Sequence, residues 1–135
     1  MPLSIPYDSL LLEIAEYVDG YTIDSDLAYQ TARYCLLDSI GCVLEALDHP
    51  ACTRLLGPPV RGVSVQHGAR VPGTAFYLDP VTAAFNVSAM LRWTDFSDTF
   101  VALTTTHPSD AIGAILPVAD FLSRFRLSCD EPPLT

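Results

Sequence analysis

The chain has 135 residues, 50% of them apolar and 17% charged, which supports one domain with a genuine core and excludes a disordered segment. Sixteen acidic residues against seven basic ones give a net charge of −9, which repels nucleic acid and anionic lipid. Apolar runs such as Ile115 to Ala119 fall far short of the roughly 20 residues of a bilayer crossing, so no membrane span is expected.

In chain order, Asp8 to Val18 carries Leu11, Leu12, Ala15 and Val18 at helical spacing, with Asp8 or Ser9 as N-cap. A second helix is expected from Asp24 or Ser25 to about Leu47. Tyr34, Cys35, Leu37, Ile40, Val43, Leu44 and Leu47 leave it few polar positions, so its second half should be buried nearly all round. A short helical piece from Ala51 to Leu56 should close at Gly57-Pro58-Pro59, which cannot continue a helix. Residues 61–78, with the turn Val71-Pro72-Gly73-Thr74, read as extended chain and loop. Asp79-Pro80 then pairs an N-cap with a proline in the first turn, and a helix should reach Arg92 or Trp93. After a polar stretch, a last helix is expected from Asp110 to about Arg126, with Pro117 kinking it or shifting its start. The predicted class is all-α.

The chemistry concentrates in Arg92-Trp93-Thr94-Asp95-Phe96-Ser97-Asp98-Thr99 and, eight residues on, His107-Pro108-Ser109-Asp110. Carboxylates, a hydroxyl, an arginine and an imidazole lie between two apolar helices, where polar groups must be paired or used. A carboxylate and an imidazole there can serve as base and acid. The plainer reading is a solvated loop with Asp98 or Thr99 as a helix cap and His107 exposed.

Asp95-Phe96-Ser97-Asp98-Thr99 with His107-Pro108-Ser109-Asp110 resembles the D-F-[NDS]-D-T…H-P-S-D signature of the MmgE/PrpD family. Three further stretches agree in order: Tyr34 to Cys42, Val71 to Thr74, and Leu78 to Asn86. Members of that family include 2-methylcitrate dehydratases and cis-aconitate decarboxylases. The resemblance implies residues 1–127 as an N-terminal portion of the family's helical domain, with 128–135 as tail or linker. It implies a reaction that removes a proton beside a carboxylate and expels a β-hydroxyl from a tricarboxylate such as 2-methylcitrate or a longer alkylcitrate. Asp95 and His107 are then the proton-transfer pair and Thr99 a substrate hydrogen bond. Arg92 becomes a carboxylate clamp or an ion pair with Asp95, and Ser109 a substrate contact or the N-cap of the last helix. The family's lysine and second histidine lie beyond the matched region, and this chain contains no lysine, so it is expected to be inactive alone. Ala111 departs from the asparagine that often follows H-P-S-D in the dehydratases, which leaves the substrate open. The alternatives are a decarboxylase-like fragment and a non-catalytic helical module whose exposed apolar face favours a homodimer or association with the rest of the fold.

Other polar residues receive structural readings. Asp38 should make a buried hydrogen bond from the second helix. Cys35, Cys42, Cys52 and Cys129 form no C-x-x-C pair and read as buried thiols of a reducing compartment. Neither they nor His49 and His67 have ligand spacing, so no metal and no cofactor is expected. Met1 to Glu16 is acidic, and no arginine precedes Arg33, which is unlike a signal or transit peptide. A cytoplasmic location is expected, with the mitochondrial matrix as the alternative.

Overall fold

The computed structural model of the chain describes residues 7–134. The opening of the N-terminal reading, Met1 to Pro6, and the last residue of the tail, Thr135, lie outside the described residues. The order is α1 (Ser9–Gly20), α2 (Asp26–Glu45), a 3₁₀ turn (Ala46–Asp48) and α3 (Pro50–Thr53). There follow β1 (Ala69–Arg70), β2 (Tyr77–Leu78), α4 (Pro80–Leu91), β3 (Phe100–Val101), β4 (Thr105–Thr106) and α5 (Ser109–Ser128). The fold is mainly helical, and its strands form two antiparallel hairpins, β1–β2 and β3–β4. Among the described residues, no helix is long and apolar enough to cross a membrane.

Contacts divide the chain into two compact units, residues 1–31 and 32–135, with α2 beginning in the first and continuing into the second. In the first, the Asp8 carboxylate accepts from the Leu10 amide and starts α1, as the sequence predicts. The Ser25 hydroxyl likewise accepts from the Ala28 amide at the start of α2. Tyr17 and Tyr21, one turn apart, stack with ring centroids 4.9 Å apart.

The second unit holds the core. Ala83, Val87, Met90 and Leu91 of α4 meet Val43 and Ala46, Cys52, and Ala69, Val71 and Leu78 of the first hairpin. Asp79 caps α4 by accepting from the amides of Val81 and Thr82, while Pro80 occupies the first turn, where its missing N–H costs nothing. The Val71–Thr74 turn is closed by a bond from the Thr74 amide to the Val71 carbonyl. Pro72 at its second position and Gly73 at φ +72 at its third give the type II arrangement. Buried Asn86 ties down the turn after α3: its side-chain oxygen accepts from the Gly57 amide at 2.6 Å and its nitrogen donates to the Thr82 carbonyl.

Several expectations need correction. The second half of α2 is not buried all round. Only Ser39, Cys42 and Val43 are buried, while Leu37 is 59% and Leu44 47% exposed. These three stand at i, i+3 and i+4, the strip that a helix presents to a single neighbouring layer. Asp38 is exposed, and the side chain of α2 that reaches a distant loop is Cys35, one turn earlier. Of the four thiols, Cys42 and Cys52 are buried, Cys35 is half-buried and Cys129 is exposed. Ser109 does not cap α5; it is the first helical residue and follows Pro108. Finally, α5 starts at Ser109, so Pro117 does not shift its start and lies inside the continuous helix.

Asp120 of α5 is joined to Arg70 of β1 by an ion pair of 2.7 Å and also accepts the Arg70 amide at 2.8 Å. Burial pushes the Asp120 carboxyl up, but the Arg70 hydrogen bonds and charge, with Arg124 nearby, outweigh it and hold the group below its ordinary value of 3.8. A folded value below the unfolded one means that the pair stabilises fully above that ordinary value. Its contribution is lost as pH falls through the folded value. Acid unfolding should therefore steepen below pH 3.8. Asp120→Asn should flatten that limb in a pH series of urea midpoints, and an unchanged limb would refute the assignment.

Candidate active site

α4 ends at Leu91, and the polar loop leaves from Arg92, so the first functional side chain sits at the rim of the core. The Arg92 guanidinium donates through Nη2 to Asp95 Oδ1 at 2.7 Å and through Nη1 to Ser97 Oγ at 3.1 Å. Its Nε lies 3.7 Å from Asp110 Oδ1 at the start of α5. Asp95 has φ +54, a left-handed conformation that aspartate tolerates better than most residues, and its side chain is 78% exposed. Thr99 is exposed. The arginine thus meets the first carboxylate of the loop while both remain accessible.

Asp98 grips three places. Its carboxylate accepts from the Cys35 thiol of α2 at 2.9 Å and from the Ser109 amide at 3.1 and 3.2 Å. The second bond satisfies one of the free amides at the α5 N-terminus, so the capping side chain comes from eleven residues upstream. Asp98 as cap agrees with the plain reading of the loop. Its backbone carbonyl, in turn, lies 2.6 Å from His107 Nδ1. A carbonyl can only accept, so Nδ1 carries the hydrogen in this pair, and Nε2 is the nitrogen left for proton exchange. His107 is half-buried rather than exposed.

The electrostatics follow this geometry. Burial pushes the Cys35 thiol up, and the Asp98 carboxylate beside it pushes further, to about 11, so the sulfur stays a hydrogen-bond donor. Burial also pushes Asp98 up, but hydrogen bonds from Cys35 and Ser109, together with the nearby imidazole of His107, outweigh it and leave its carboxyl below the ordinary value. The Ser109 hydroxyl is fully buried beside the Asp98 carboxylate. No group of three or more His, Cys, Asp or Glu side chains among the described residues could hold a metal ion.

Sequence reasoning placed Arg92 beside Asp95 and named His107, but it gave Asp98 only a capping role and read Cys35 as a filler thiol. The Cys35–Asp98 contact joins residues 63 apart and has no local signal. The eleven-residue step from Asp98 to Ser109 does not fit the spacing of ordinary helix caps.

The family model of the MmgE/PrpD N-terminal domain matches residues 12–128. A 2-methylcitrate dehydratase of Cupriavidus necator is 57% identical over 128 residues, 95% of this chain and 26% of its own length. A mitochondrial 2-methylcitrate dehydratase of Yarrowia lipolytica is 46% identical over 87% of this chain and 22% of its own length. A fungal alkylcitrate dehydratase, phiI, is 42% identical over 98% of this chain and 27% of its own. The chain spans about a quarter of the length of these relatives.

Proposed function

Because the chain belongs to the MmgE/PrpD family, we propose that it forms one wall of an active site that eliminates water from a hydroxy-tricarboxylate of the 2-methylcitrate or alkylcitrate type. The carrying observation is the 57% identity to a 2-methylcitrate dehydratase across 95% of the chain, a span that includes the loop of Asp95 and His107. The loop geometry supports it. His107 is anchored through Nδ1, which turns its Nε2 over to proton exchange, and an exposed Asp95 carboxylate stands beside a cation.

In the elimination one group removes a proton from the carbon beside a carboxylate, and another delivers a proton to the departing hydroxyl. The C–H electrons become the new double bond, and water leaves. His107 and Asp95 are the pair for these two transfers. Arg92, which keeps guanidinium hydrogens beyond those bound to Asp95 and Ser97, clamps a substrate carboxylate, and exposed Thr99 contributes a hydroxyl, whereas the fully buried Ser109, expected from the sequence as a possible substrate contact, is out of a ligand's reach. The relatives' names support dehydration over decarboxylation. Apolar side chains such as Phe85, Ile115 and Phe125, each more than half exposed, support association of this unit with the rest of the fold or with a second copy. The mitochondrial relative of Yarrowia lipolytica supports the mitochondrial matrix as an alternative to the cytoplasm.

The test is a chimera in which this chain replaces the matching quarter of the Cupriavidus necator relative. It should convert 2-methylcitrate into an unsaturated tricarboxylate, followed by ultraviolet absorbance, whereas the 135-residue chain alone should not, because acid, base and clamps act as one unit. A folded chimera without turnover, or full activity of the chain alone, would count against the reading.

A further inference from the structure

Asp98 touches α2 through Cys35, α5 through the Ser109 amide and the imidazole through its own carbonyl. The first two contacts fix its side chain, and the third depends on where its backbone then points. His107 sits nine residues away on the far side of a hairpin, and among the described residues this is the hydrogen bond that orients the ring. A thiol is a weak donor, yet here it faces a carboxylate held ionised by its other partners, and a charged acceptor strengthens the bond.

We propose that Asp98 is a positioning residue for His107 and that Cys35 positions Asp98, the two together holding the imidazole with Nδ1 protonated and Nε2 presented for proton transfer. Neither residue touches substrate. The inference rests on the catalytic reading of His107 for its effect on rate, but the tautomer of the ring is independent of that reading. Without the Cys35 bond, the Asp98 side chain keeps only the Ser109 amide, and its carbonyl is free to swing away from Nδ1. The ring then rotates and samples both tautomers, and an imidazole out of line transfers protons poorly.

The measurement is nitrogen-15 NMR of the histidines in the chimera at neutral pH, with His107 assigned by its loss in His107→Gln, alongside 2-methylcitrate kinetics. The parent should show the Nδ1–H tautomer for His107. Cys35→Ala and Asp98→Ala should show mixed or Nε2–H signals and a kcat about tenfold lower or more with a smaller change in KM, the scale of a misplaced catalytic group. Cys35→Ser, which keeps a donor, should recover most of both readouts. An unchanged Nδ1–H signal in Cys35→Ala and Asp98→Ala would overturn the proposal, as would Cys35→Ser behaving like Cys35→Ala. If the tautomer shifts while His107→Gln turns over normally, the clamp stands and the catalytic reading of His107 fails.

Discussion

Replacing His107 by alanine in the chimera should lower turnover of 2-methylcitrate by about 10²-fold or more, the usual scale for removing a general acid or base. Asp95→Asn should cost a similar factor. The hydrogen bond from Nδ1 to the Asp98 carbonyl uses one nitrogen of His107 and leaves Nε2 for a ligand, and Asp95 is held by Arg92 at 2.7 Å yet is exposed. On the proposal that both act in the reaction itself, kcat should fall more than KM rises. Cys129→Ser, at an exposed position after α5, serves as a control and should leave turnover unchanged. Normal turnover in His107→Ala would remove the loop from the chemistry.

The second large effect lies in the α4–α5 seam. Gly113 is buried, and a Cβ built there would meet the Ser88 side chain and lie 3.2 Å from Ser88 Cα, which belongs to the backbone of α4 and cannot step aside. Pro117, one turn further on the same face of α5, is also buried. Gly113→Val should therefore push the two helices apart and destabilise the unit by about 1–3 kcal/mol or more, the cost of overpacking. Alanine is a weaker test, since its helix propensity, about 1 kcal/mol better than that of glycine, opposes the clash. A second substitution, Ser88→Gly, should recover part of the loss. A melting temperature unaffected by Gly113→Val would mean that the helices are not in contact there.

Local physics made much of this legible. Asp79-Pro80 marked the start of α4 because a capping carboxylate and a prolyl ring are both short-range devices, and the helices formed where apolar spacing required them. The hairpin β3–β4 was not legible, since Phe100, Val101 and Thr105 sit in a stretch whose polar neighbours read as loop. The burial of α2 was overestimated because its composition is apolar on every side, while packing engages only the strip of Ser39, Cys42 and Val43. In the site, Arg92 and Asp95 are three residues apart, so their meeting was within reach of spacing. The Cys35–Asp98 bond is a product of tertiary structure, and nothing near either residue announces it.

The hairpin between Asp98 and His107 has a tip formed by Ala102 to Thr104, with Leu103 fully exposed. Its ladder, with Phe100 opposite Thr106 and Val101 opposite Thr105, brings the two ends of the segment together before the tip is reached. The distance from carbonyl to imidazole is therefore set below the tip and is indifferent to what the tip contains. Closure entropy grows only logarithmically with length, about 0.6 kcal/mol per doubling, so insertions at Leu103 cost little. This gives the segment a modular character: descendants of the fold can graft a longer loop at that apex to reshape what reaches the site, while the inherited imidazole stays in register.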